Sequence, residues 1–252
     1  MFKKARRNNG SVVAGGIILL ALTVLSSGSA LAAEIVGRVT VQHTGLFTQG
    51  KAMEVPGGIS VSITPLAGQA MPAPHPRSHR VTIHNKSFTP VFMTVQRGDE
   101  LQFISHDTVF HKLFSLSKVQ PFTLDLGKVE DDGQAVTSDL FTLTQSGPWH
   151  VFCRIHSTMY FRVDVVETPY YTMIKDGGEF HFSGLAPGRW QLRVAAIGSE
   201  PLLLTAEAIT APPPMQVVLP VKSGRAQVDA SQMTPGMGMA EAGAGEGEGQ
   251  LK

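Results

Sequence analysis

The chain has 252 residues, room for one large or two modest domains, with 16 % charged and 7 % aromatic residues beside 26 glycines and 16 prolines. That mixture suits short strands joined by many turns rather than long amphipathic helices, and a net charge of +1 gives no case for nucleic acid as a partner. The single cysteine excludes an internal disulfide framework, a zinc ribbon and any cluster needing several thiolates.

The first 32 residues read as an export signal. Lys3, Lys4, Arg6 and Arg7 make a basic start, residues 11–25 are largely apolar, and Ala30-Leu31-Ala32 supplies the small residues of a cleavage site. An uncleaved anchor is the alternative, since the apolar run is near the lower limit for spanning a bilayer. Cleavage after Ala32 removes those four basic residues and no acidic ones, which takes the net charge from +1 to about −3. No later segment approaches a membrane span, so the expected mature protein is periplasmic or secreted.

Period-two patterns follow at 34–42 and 59–63, separated by Pro56-Gly57-Gly58. Residues 67–78, rich in proline, read as a linker. Strand patterns resume at 80–83, 91–96 and 100–104, and continue at 122–126, 140–144, 149–153 and 160–166. Further strands are expected at 179–182, 190–195 and 216–221, and residues 223–252 form a Gly/Ala/Met-rich tail expected to be disordered. Short strands with frequent turn signals predict an all-β sandwich architecture.

The chemistry concentrates at Cys153-Arg154-Ile155-His156-Ser157-Thr158-Met159, a thiolate, an imidazole and a thioether within seven residues. An unpaired cysteine in an exported protein is an intermolecular bridge, a reactive thiol, a metal ligand or a small buried hydrophobe. Its neighbours favour the ligand. The motif lies between two expected strands, so one turn can hold all three donors about a point. His111, 42 residues before Cys153, stands in Asp107-Thr108-Val109-Phe110-His111-Lys112-Leu113-Phe114-Ser115. Two histidines, one cysteine and an axial methionine are the donor set of a blue-copper electron-transfer site.

Residues 81–166 resemble a cupredoxin, the family of plastocyanin, azurin, pseudoazurin and amicyanin. The resemblance rests on Phe88-Thr89-Pro90, Val95-Gln96-Arg97-Gly98-Asp99, Leu101-Gln102-Phe103, Gly147-Pro148-Trp149-His150-Val151-Phe152-Cys153 and the short Cys-x2-His-x2-Met loop. It implies a Greek-key β-sandwich, one type 1 copper held by His111, Cys153, His156 and Met159, and docking of a redox partner protein near His156. Ser105, where many members carry Asn, and Lys112 depart from the family pattern. A closer likeness is to exported cupredoxin-like proteins labelled methylamine-utilisation proteins, through Thr168-Pro169-Tyr170-Tyr171 and the glycine-rich hairpin that follows. The stretch 36–65 and the hairpin around Leu185-Ala186-Pro187-Gly188 also resemble the opening and close of a carboxypeptidase regulatory-like β-sandwich. From this we expect one small sandwich built from 33–66 and 167–222, with the copper domain of 79–166 inserted between.

Weaker candidates remain. His43, His75, His79, His84, His150 and His181 read as surface or loop histidines without evident partners, and His106 as a possible competitor for the metal. Asp107 reads either as a residue orienting the ligand loop or as an ordinary turn aspartate. Trp149, Phe110 and Phe114 read as core, and Met233, Met237 and Met239 as tail residues that would suit Cu(I) only secondarily. No hydrolase, zinc-protease or phosphate-loop motif occurs, and the extra histidine clusters of multicopper enzymes are missing, so no catalysis is expected. Three functions stay open: a single-electron carrier, a copper-binding or delivery protein, and a non-redox β-sandwich interaction module.

Overall fold

Apolar side chains at every second position give a segment one face that must leave water, and strands satisfy both that face and the backbone by pairing. The computed structural model describes residues 32–45, 54–66, 68, 71–115 and 121–222, which form seventeen strands and no helix among the described residues. In chain order the first eight are β1 (Ala33–Thr44), β2 (Ile59–Pro65), β3 (Ser78–His84), β4 (Ser87–Thr89), β5 (Phe92–Gln96), β6 (Glu100–Ser105), β7 (His111–Ser115) and β8 (Phe122–Leu126). Then come β9 (Val136–Thr137), β10 (Phe141–Thr142), β11 (Gly147–Cys153), β12 (Tyr160–Val166) and β13 (Tyr171–Ile174). The last four are β14 (Glu179–Leu185), β15 (Gly188–Ala196), β16 (Leu202–Ala208) and β17 (Met215–Lys222). The all-β expectation, a cupredoxin-type sandwich with a second β-sandwich beside it, agrees with this architecture.

One pair of sheets encloses the core beneath the cysteine loop. The first runs β10-β6-β3-β4 with β9 also on β6, and the second runs β5-β12-β11-β7-β8. Val81, Phe103, Leu113, Trp149, Val151 and Phe161 fill the space between.

The other pair runs β14-β1-β17 and β13-β2-β15-β16. Here β1 and β2 are interior strands: β1 lies between antiparallel β14 and parallel β17, and β2 between antiparallel β13 and β15. Ile35, Val39, Ile59, Ile63, Trp190 and Leu192 belong to this second core. Gly37 is required by close approach: a Cβ there would stand 2.5 Å from Phe180 Cζ and 2.8 Å from the Met215 carbonyl oxygen.

Strand β12 joins the two cores. Phe161, Val163 and Val165 face the first core, while Arg162 and Asp164 on the opposite face are only 5 % and 1 % exposed. What covers them is the second pair of sheets. Arg162 Nε and Nη2 donate to the two oxygens of Asp164 at 2.7 and 3.0 Å, and its Nη1 donates to the Ala196 carbonyl at 2.9 Å. Arg193 Nη2 adds a 2.9 Å bond to Asp164. Thr94 Oγ1 on β5 donates to Ser60 Oγ on β2 at 2.6 Å, both groups buried.

Five elements escape the alternation reading: β4, β7, β9, β13 and β16. Each of the first four spans five residues or fewer, too short for a period to register, and Leu202-Leu203-Leu204 blurs it in β16. The strand expected at 140–144 shrinks to β10, and Ser78, assigned to the linker, already begins β3. Residues 1–31 of the expected export signal 1–32, and the expected tail 223–252 with Met233, Met237 and Met239, lie outside the described residues. No helix among the described residues is long and apolar enough to cross a membrane.

Candidate metal centre

Strand periodicity aims the donors. In β7 the inward residues are His111, Leu113 and Ser115, and in β11 they are Trp149, Val151 and Cys153. Antiparallel pairing sets Cys153 opposite Leu113, so His111 stands one inward position beyond it at the same end of the sandwich. The Arg154 amide then donates to the Lys112 carbonyl at 2.9 Å, and the Met159 amide to the His156 carbonyl at 3.0 Å. These two bonds fold the loop back into β12 and bring His156 over Cys153.

The ligand atoms of His111, Cys153 and His156 all lie within 4.8 Å of one another. Cys153 Sγ is 4.0 Å from His111 Nδ1 and 3.6 Å from His156 Nδ1. A thiolate at about 2.3 Å and an imidazole nitrogen at about 2.0 Å from a shared ion would stand about 3.7 Å apart in a trigonal arrangement. The observed distances straddle that value, so the donor set fits a single metal ion. His111 is fully buried, Cys153 is 5 % exposed, and His156 is half-buried. Met159, 1 % exposed, lies in the same core as Cys153.

Burial pushes the His111 pKa below the ordinary histidine value, against the pull of Asp107, so the ring is neutral and a nitrogen lone pair is free for a metal. His111 Nε2 lies 3.0 Å from Asp107 Oδ2. The same carboxylate accepts the Asn85 amide at 2.6 Å on Oδ1 and the Lys86 amide at 2.8 Å on Oδ2. Burial alone would raise the Asp107 pKa, but the Lys86 and Asn85 amides and His111 outweigh it and hold it below the ordinary carboxylate value. Of the two readings of Asp107, the one that orients the ligand loop matches this geometry.

Several histidines expected to stand alone have partners, because cross-strand pairing joins residues far apart in sequence. His79 Nε2 lies 2.7 Å from Asp99 Oδ2, and His181 Nε2 lies 3.2 Å from Glu34 Oε2. His150 Nδ1 lies 2.8 Å from the Tyr160 hydroxyl, and His84 Nδ1 is 4.0 Å from Asp107 Oδ1. His75 and His106 are exposed, and neither joins the donor cluster. Trp149 is core as expected, but Phe110 is 56 % exposed, since it turns outward immediately before inward-facing His111. Phe114, half-buried on the outer face of β7, packs on Phe152.

No protein-family model matches the chain, and no curated protein does. Among solved structures, a reduced amicyanin mutant is similar at 21 % identity over 42 % of this chain and 98 % of that one, with a TM-score of 0.29. The Cu(I) form of another amicyanin mutant is similar at 20 % identity over 42 % of this chain and 99 % of its own, with a TM-score of 0.30. A purple cupredoxin from Nitrosopumilus maritimus is similar at 16 % identity over 34 % of this chain and 98 % of its own, with a TM-score of 0.29.

Proposed function

We propose that this chain is an exported type 1 copper protein that passes single electrons between partner proteins, with His111, Cys153, His156 and Met159 as ligands. The observation that carries the reading is the convergence of the chain's sole thiol with two imidazole Nδ1 atoms, 3.6 and 4.0 Å from it. Copper bound there would supply a one-electron couple, with thiolate and imidazole donors suited to both oxidation states.

The residues of the chain do the rest. His111 is held by Asp107 and by its place at the start of β7, and Cys153 by the end of β11, so two donors cannot relax much between states. Half-buried His156 gives the site its edge toward solvent. Phe110 and Ile155, each one residue before a ligand, are 56 % and 50 % exposed. An apolar rim of this kind supports partner docking near His156, because it can be desolvated at little cost. The basic start, apolar run and Ala30-Leu31-Ala32 support export.

Addition of Cu(II) to the purified full chain tests the reading. An intense blue absorption should appear, bleach reversibly with a mild reductant, and vanish in Cys153→Ala, because the colour needs a covalent copper–thiolate bond. A colourless copper complex in the wild-type protein defeats the electron-carrier reading. Rapid loss of the metal to a chelator would favour copper delivery.

A further inference from the structure

We propose that Asp107 is a positioning residue of the metal centre: anchored by the β3–β4 hairpin, it fixes the His111 ring and selects the tautomer that leaves Nδ1 free beside Cys153. The proposal rests on the copper reading above and deepens it.

A carboxylate at hydrogen-bond distance from Nε2 accepts a hydrogen bond from a proton on that nitrogen, which makes Nε2 the N–H nitrogen and Nδ1 the lone-pair nitrogen. The distance is 3.0 Å, with His111 fully buried and Asp107 7 % exposed, so water does not readily replace that bond. The carboxylate is itself immobilised. Asn85 and Lys86, at φ 51° and 57°, form a left-handed two-residue turn whose successive amides both point at it. Consecutive amides in such a turn make a concave anion site. Exposed His84 stands 4.0 Å from Oδ1, and the Val129 amide donates to the Asp107 carbonyl at 2.8 Å. A hairpin more than twenty residues away in sequence is thus tied through one side chain to the ring of a candidate ligand.

A carboxylate behind an imidazole raises its basicity as a donor, and the benefit is larger for the more highly charged metal ion. Asp107 therefore favours Cu(II) over Cu(I) and lowers the reduction potential of the site. Asparagine at 107 keeps an acceptor for the Nε2 proton but removes the charge. A residue that merely props up the hairpin would weaken both oxidation states alike and leave the potential where it was.

The test uses the full chain in two ways. In the copper-free protein, nitrogen NMR should find His111 as the Nε2–H tautomer, and Asp107→Ala should lose that preference. With copper, competition against chelators should show Asp107→Asn binding Cu(II) about 10–100-fold more weakly, with a smaller loss for Cu(I) and a potential shifted upward. His111 found as the Nδ1–H tautomer in the wild-type protein overturns the proposal. So does an Asp107→Asn variant whose Cu(II) and Cu(I) affinities fall by the same factor. A wild-type protein that binds no copper defeats the function reading itself, and the NMR result then still decides whether Asp107 sets the tautomer.

Discussion

On the outer face of β11 and β12 a half-buried imidazole meets a half-buried phenol. His150 Nδ1 is 2.8 Å from the Tyr160 hydroxyl. Burial, with Arg162 nearby, pushes the His150 pKa below the ordinary histidine value, and burial pushes the Tyr160 pKa up to about 12. The folded protein therefore binds fewer protons at His150 than the unfolded chain between the lowered value and about 6.5. Its contribution to stability is whole above about 6.5 and is lost as pH falls toward the lowered value. Paired urea titrations near pH 7 and near pH 5 should show wild-type stability falling on acidification, and His150→Phe falling less. At neutral pH the variant should be about 1 kcal/mol less stable, from the missing hydrogen bond. Equal pH slopes in the two proteins would remove His150 as the source. None of this was legible from the isolated residue, because Tyr160 faces His150 only once the strands pair.

At the scale of elements, the positions of β1 and β2 matter most. We propose that residues 33–66 and 167–222 form one sandwich and that the copper domain of 79–166 is inserted between them. Its support is that β1 separates β14 from β17 and β2 separates β13 from β15, so each supplies the middle of a sheet. Deleting residues 33–66 leaves four strands with unpaired inner edges. Limited proteolysis of that variant should cut within 167–222 at least about tenfold faster than in the full chain, which needs only ~1.4 kcal/mol of lost local stability. Residues 79–166 should persist as a copper-binding fragment. Digestion of both parts at one rate would show that they do not fold as separate units. The residues quoted above suggested two halves of one sandwich, but strand order depends on contacts between segments over a hundred residues apart.

For the whole molecule, the decisive feature is a buried seam of charged groups beside two largely apolar cores. Asp164 accepts from both Arg162 and Arg193, and Arg162 also binds the Ala196 carbonyl on β15. Such a network contributes little net energy while intact, but removing one partner leaves buried charge uncompensated. Asp164→Ala strands two guanidinium groups and should cost about 3–5 kcal/mol in a urea titration. A loss under about 1 kcal/mol would mean that water reaches the seam and screens it. Because β12 starts immediately after the Cys153–Met159 loop, that candidate metal loop is continuous with the strand that carries the seam.

Composition and alternation were enough for the all-β class and most strand positions, and the Cys153-x2-His156-x2-Met159 spacing marked three candidate ligands, because those signals are local; His111, 42 residues before Cys153, joined the candidates through the family resemblance. Short-range chemistry is written in neighbouring residues: turn formers, period-two faces and a loop just long enough to return on itself. The tertiary structure alone decided that Asn85 and Lys86 clamp Asp107 behind His111, and that Asp99 collects His79. It also decided that Arg162 and Asp164, which an alternating strand would turn toward water, are covered instead. In each case the partner comes from a distant segment, and a hydrogen bond or a buried ion pair exists only after the backbone has brought the two together.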